Sequence, residues 1–147
     1  MANLPQDPLL EMFIFETKQL LEQLEQILLT SEKSKKYSEQ DINEIFRVMH
    51  TIKGSSAMML CNNISKLAHS MEDLFYFIRQ NKQASIQFSD LTDLILKGAD
   101  FIQTELAKIE KSQIPDADPN LIIDEINEFL KGTSKNVKFP LAYHTPP

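Results

Sequence analysis

The chain has 147 residues, enough to enclose one hydrophobic core, and 42% of them are apolar. Its 21 acidic and 15 basic residues leave a net charge of −6, and the basic ones are dispersed apart from Lys33, Lys35 and Lys36. That distribution argues against a nucleic-acid partner, because phosphate binding needs a concentrated basic surface. A single cysteine, Cys61, cannot form an internal disulfide, no stretch reaches membrane-spanning length, and the segment from Met1 to Pro8 has no secretion signal, so a soluble cytoplasmic chain without a membrane partner is expected.

Only three glycines are present, tryptophan is absent, and no segment alternates apolar and polar residues for long, which predicts an all-α fold. Asp7-Pro8 is a helix start, aspartate capping free amides and proline giving up an N–H that had no partner. Leu10, Phe13, Leu20, Leu24, Ile27 and Leu28 then keep helical spacing to about Thr30, and Ser31 to Tyr37 reads as a lysine-rich solvated connection. Ser38 with Asp41 three residues on resembles a capping arrangement. The second helix is expected to bury Ile42, Ile45, Phe46, Met49, Ile52, Ser56 and Met59, with His50 off that stripe and Lys53, Gly54 and Ala57 on its flank.

Asn62 or Asn63 opens a third helix, with Ile64, Leu67, Ala68, Met71, Leu74, Phe75 and Ile78 inward and His69, Glu72 and Tyr76 together on another face. A fourth, capped by Ser89, turns Leu91, Leu94, Ile95, Ile102, Leu106 and Ile109 inward, and Gly98 within it implies close packing or mere tolerance. Asp118-Pro119 repeats the start signal, and a short fifth helix bearing Ile122, Ile123, Ile126, Phe129 and Leu130 is expected to end at Gly132. The expected architecture is an antiparallel up-down four-helix bundle with an additional fifth C-terminal helix over residues 1–132, followed by a tail or linker over 133–147 that contains His144.

A bundle names no function; a constellation on two of its helices does. Phosphoryl transfer to histidine needs an unprotonated ring nitrogen facing solvent, and a carboxylate on an adjacent helix can hold the other nitrogen's proton. An ammonium group nearby balances charge on the phosphoryl oxygens, since positioning and electrostatics carry most of the catalysis in such transfers. His50, Glu72 and Lys53 supply those three parts.

The run from Ile45 to Glu72 resembles the histidine phosphotransfer (HPt) family, and most closely the N-terminal phosphoacceptor domain of CheA-type chemotaxis kinases. His50, Lys53 and Gly54 fall in the family's H-x-x-K-G pattern, and His69 and Glu72 in its downstream H-x-x-E. The likeness runs on through Lys111-Ser112-Gln113 and Pro115-Asp116-Ala117, about residues 7 to 131. It implies that His50 is the phosphoacceptor, that Glu72 orients it, and that Lys53 and His69 complete the polar network. The implied partners are the ATP-binding domain of a histidine kinase and the receiver domain of a response regulator. Gly54 and Ala57 are the expected docking ground, because small side chains leave room beside the imidazole. The family usually has glycine near Leu60, and the departure puts the turn between the second and third helices in question.

As metal ligands, His50, His69 and Glu72 lack paired spacing, so neither metal nor cofactor is expected. The methionines at 49, 58, 59 and 71 read as core filler. No G-x-x-x-x-G-K-[ST] loop is present, so the chain is not expected to be an ATP-dependent kinase by itself but part of a CheA-type protein. Met1 just before the first helix fits an N-terminal domain, and the proline-containing tail fits a chain that continues. The competing readings are a free-standing relay protein and a helical interaction module that has lost phosphotransfer.

Overall fold

The computed structural model describes residues 7–82 and 84–134, so the tail beyond 134, with His144, lies outside the described residues. Five helices follow one another: α1 (Pro8–Ser34), α2 (Glu39–Met58), α3 (Asn62–Gln80), α4 (Phe88–Glu110) and α5 (Asn120–Ser134). Contacts close a ring in which α1 meets α2, α2 meets α3, α3 meets α4 and α4 returns to α1, the pattern of an up-down four-helix bundle. The α5 helix lies against α3 and α4. The all-α reading therefore holds, with α5 docked on the bundle through fully buried Ile126 and through Ile122, Ile123, Phe129 and Leu130.

Local chemistry sets the helix starts. Asp7 caps α1 by accepting from the Leu9 N–H at 2.9 Å. Ser38 and Asp41 form a reciprocal capping box, each side chain taking the other's backbone N–H at 3.0 Å. Asp118 accepts from the Asn120 N–H at 2.9 Å. The expected Ser89 cap is not used: α4 starts at Phe88 after Gln87, which makes no side-chain cap bond. Phe88 stacks on Tyr37 with ring centroids 4.8 Å apart, and that packing fixes where α4 enters the bundle.

The same contact corrects the first connection. The α1 helix runs past Thr30 to Ser34, closing on Lys35 in the left-handed region, and Tyr37 is not solvated but stacked on Phe88 with its hydroxyl bonded to Thr92. Burial pushes the Tyr37 phenol above its usual range. The α5 helix likewise passes through Gly132 to Ser134, so Gly132 is not its stop.

The core is wider than a single stripe per helix. Ile14, Thr17, Leu21, Val48 and Phe77 are buried alongside the expected residues, whereas Leu10, Leu20, Leu28, Phe46 and Met59 are only partly so. Each helix of a ring touches two neighbours, so its buried arc widens beyond one seam. Gly98 is buried where a Cβ would stand 3.5 Å from Met71 Sδ and Cε, ordinary contact distance, so α3 and α4 approach closely there.

The turn at Leu60 keeps its shape without glycine. Leu60 has φ 61°, the Cys61 N–H reaches Ser56 O at 2.8 Å and the Leu60 N–H reaches Ala57 O at 3.0 Å, the paired bonds of a Schellman stop. Ser112 ends α4 in the same way, with φ 60° and the Gln113 N–H on Lys108 O at 2.7 Å.

Candidate functional site

His50 projects from the exposed flank of α2, eight residues before its end, while Ile45, Val48, Met49 and Ile52 on the other side anchor that stretch in the core. Facing it, α3 is pinned by Leu67, Ala68, Met71, Leu74 and Phe75, none of which is exposed. The two helices are tied near their shared turn by Ser65 Oγ donating to Lys53 O at 3.1 Å, while the buried Ser56 hydroxyl is satisfied within α2 by donating to Ile52 O at 2.5 Å. This tight seam brings the polar residues of the two helices into register.

Glu72 sits in that seam. Its Oε2 is 2.6 Å from His50 Nδ1, and its Oε1 is 2.6 Å from Lys53 Nζ in an ion pair. The side-chain exposures grade outward: 10% for Glu72, 30% for Lys53 and 62% for His50. Burial alone would raise the Glu72 carboxyl, but Lys53 and His50 together outweigh it and hold the group below its ordinary value. An ionised carboxylate only accepts hydrogen bonds, so it selects the ring form with the proton on Nδ1, and in the neutral imidazole that tautomer has its lone pair on Nε2.

Glu72 was expected to share a face of α3 with His69 and Tyr76 and to bond His50, and it does bond His50, but His69 does not join it. It is buried between the helices, while His69 is exposed and pairs with Asp73 one turn on at 3.6 Å. The direct partners of Glu72 are His50 and Lys53; the carboxylate next to His69 is Asp73. Burial leads the influences that place the Asp73 carboxyl above its ordinary value, with His69 opposing and Glu72 adding to it.

Gly54 and Ala57 are exposed on the flank of α2 that carries His50, and a Cβ built at Gly54 would meet nothing within 4 Å. Beside His50 the structure also places two residues that the sequence reading used otherwise or passed over. Phe46, expected as core, is only partly buried, and its ring lies 6.3 Å from the imidazole and nearly parallel to it, at 12°. The Arg79 guanidinium sits 4.3 Å over the Phe46 ring and 5.5 Å from that of Tyr76. Their spacing held the signal: Phe46 is one turn before His50, and Tyr76 and Arg79 follow Glu72 by one and two turns.

A second polar cluster lies elsewhere. Glu105 of α4 is 0% exposed; its Oε1 accepts from Asn63 Nδ2 at 2.8 Å and from the Ala117 N–H at 3.0 Å, and its Oε2 pairs with Lys108 at 2.9 Å. Asn63 Nδ2 also donates to Ala117 O at 2.9 Å. These bonds tie the start of α3 and the connection before α5 to α4, a structural knot that sequence reading missed because Glu105 looks like any helical carboxylate.

The profile of the Hpt domain matches residues 8–121. Among curated proteins the chain is 31% identical over 136 residues to the sensor histidine kinase CheAY of Helicobacter pylori, covering 88% of the chain and 16% of that protein. It is 38% identical over 105 residues to the chemotaxis protein CheA of Borreliella burgdorferi, covering 71% of the chain and 12% of that protein. With the CheA of Halobacterium salinarum it shares 34% identity over 124 residues, 84% of the chain and 18% of the relative. The chain thus spans less than a fifth of these relatives. No solved structure matches it.

Proposed function

The chain belongs to the Hpt domain family, and from that premise we propose that it is the phosphoacceptor and phosphotransfer domain of a CheA-type, chemotaxis-like two-component system, taking a phosphoryl group on His50 and passing it to a response-regulator aspartate. The observation that carries this reading is the bond from His50 Nδ1 to a buried, ionised Glu72. In the neutral ring a proton held on Nδ1 puts the lone pair on Nε2, the form in which imidazole attacks phosphorus, and the side chain is 62% exposed.

In the forward step Nε2 forms a bond to the γ-phosphorus of ATP held by a kinase's ATP-binding domain, the bond to the bridging oxygen breaks, and ADP leaves. The proton on Nδ1 stays toward Glu72, whose negative charge steadies the cationic ring of the phosphohistidine. The Lys53 ammonium balances the phosphoryl oxygens, and positioning with electrostatics supplies most of the acceleration. In the second step a receiver aspartate attacks the phosphorus and the P–N bond breaks, returning His50 to its neutral tautomer. Gly54 and Ala57 leave room for the partner's approach.

The test is incubation of the chain with a CheA-type kinase domain and labelled ATP, followed by addition of a receiver domain. Acid-labile label on the chain that then moves to the receiver supports the reading. A folded chain that stays unlabelled is a helical interaction module, and one labelled only from a phosphorylated receiver is a relay protein.

A further inference from the structure

Glu72 fixes which nitrogen of His50 carries a proton, yet one hydrogen bond does not hold a ring that is 62% exposed. A side chain turning about its first two torsions has several staggered positions open to it, and only some of them meet the carboxylate. The second restraint is Phe46. Its ring lies one turn back on the same helix, 6.3 Å from the imidazole and within 12° of parallel, inside the range of an offset stack. Phe46 is itself held from α3: Arg79 lies 4.3 Å over its ring, and the Tyr76 ring stands 6.3 Å away at a 42° tilt. Cation–π contact of this kind is worth most when partly desolvated, and Phe46 is half-buried.

We propose that Phe46, clamped by Arg79 and Tyr76, is a positioning residue that keeps the His50 imidazole in the plane where Nδ1 meets Glu72 and Nε2 faces the phosphoryl donor. The imidazole is then held on two sides, by a carboxylate at Nδ1 and an aromatic ring along its flank. Phe46 touches neither donor nor acceptor. It acts by raising the fraction of time His50 spends in the reactive orientation, which changes the rate of the chemical step and not the affinity for the kinase.

The inference rests on His50 being the phosphoacceptor, so one arm of its test uses no phosphate donor. In the isotope-labelled 147-residue chain, side-chain nitrogen NMR reads the His50 tautomer, assigned by loss of its signals in His50→Gln. Phe46→Leu keeps an apolar side chain and removes the stack; it is expected to shift both ring nitrogens toward the tautomer mixture of free histidine, while Phe46→Tyr keeps the wild-type pattern. In the second arm, with kinase domain and ATP, Phe46→Leu is expected to lower kcat about two- to tenfold, the worth of one aromatic pair, with KM unchanged, and Phe46→Tyr to restore it. Arg79→Met, which keeps the stem and removes the charge, should give a smaller change of the same kind.

Wild-type tautomer and kcat in a folded Phe46→Leu chain would overturn the proposal, as would equal losses in Phe46→Leu and Phe46→Tyr. Should Phe46→Leu not fold, a folded Arg79→Met chain with unaltered nitrogen signals overturns it. A wild-type chain that no kinase labels refutes the functional reading, and the NMR arm still decides the role of Phe46.

Discussion

The 2.6 Å bond from His50 Nδ1 to Glu72 Oε2 joins a mostly exposed ring on α2 to a buried carboxylate on α3, and the Lys53 ammonium completes the carboxylate's shell at the same distance. The charge on Glu72 is thereby secured inside the seam, and the His50 ring is bonded to it through Nδ1. The proposed nucleophile and its orienting group are separate residues on separate helices, so their mutants should behave differently.

His50→Gln should abolish acid-labile phosphorylation and leave helix content and melting temperature near wild type, because the side chain is largely outside the core. Label found on His69 or His144 in that variant would move the phosphoacceptor elsewhere.

Glu72→Ala should slow phosphorylation of His50 by roughly ten- to a hundredfold without eliminating it, as for other groups that orient a histidine through its second nitrogen. A single-turnover rate equal to wild type would show that the contact has no part in transfer.

Gly54→Gln should leave thermal stability unchanged or raise it slightly, since glycine is a poor helix former by about 1 kcal/mol and nothing stands within 4 Å of the added Cβ. Transfer from phosphorylated chain to a receiver domain should nevertheless slow strongly, because the new side chain projects beside the imidazole. Unimpaired transfer by the folded variant would place the docking surface on another face.

Leu60→Gly should stabilise the chain by about 0.5 to 1 kcal/mol. A left-handed residue with a Cβ costs about 1–2 kcal/mol, and the greater backbone freedom of unfolded glycine returns part of that gain. Leu60 is 80% exposed, so little packing is lost. Denaturant midpoints of the two chains measure this, and a destabilised glycine variant would mean that Leu60 makes contacts outweighing its strain. Phosphorylation of His50, about 15 Å away along the axis of α2, should not change.

The acid limb of stability should depend on Glu105. Burial opposes its charge, but Lys108, the Ala117 N–H and Asn63 prevail and hold the carboxyl below its ordinary value. A carboxyl depressed in the folded state stabilises the chain above its unfolded value, and that contribution is lost as pH falls through the folded one. Melting temperature in wild type should therefore drop through that acid window, and Glu105→Gln should be less stable near neutrality with a shallower acid fall. Glu105→Ala, which strands the Ala117 N–H and takes from the Asn63 amide one of its two acceptors, should cost about 3 kcal/mol. Identical acid profiles for wild type and Glu105→Gln would remove Glu105 from the account.

Periodicity and caps alone gave five helices, most of the inward residues and four of the helix starts, because amphipathic spacing and N-cap chemistry act within a few residues of chain. The resemblance of H-x-x-K-G and H-x-x-E to the Hpt pattern singled out His50, Lys53, His69 and Glu72 before any geometry. The resemblance also paired Glu72 with His50; the tertiary structure decided the rest, burying Glu72 in the α2–α3 seam with Lys53 on its other oxygen and pairing His69 with Asp73. The same is true of the Phe46 and Arg79 column, the Glu105 knot, the stack of Tyr37 on Phe88 that replaced an expected solvated loop, and the left-handed Leu60. Each depends on which helix lies opposite and at what height. A pattern within one helix carries its own period but not its register against a neighbour, and that register is set by the packing of the whole core.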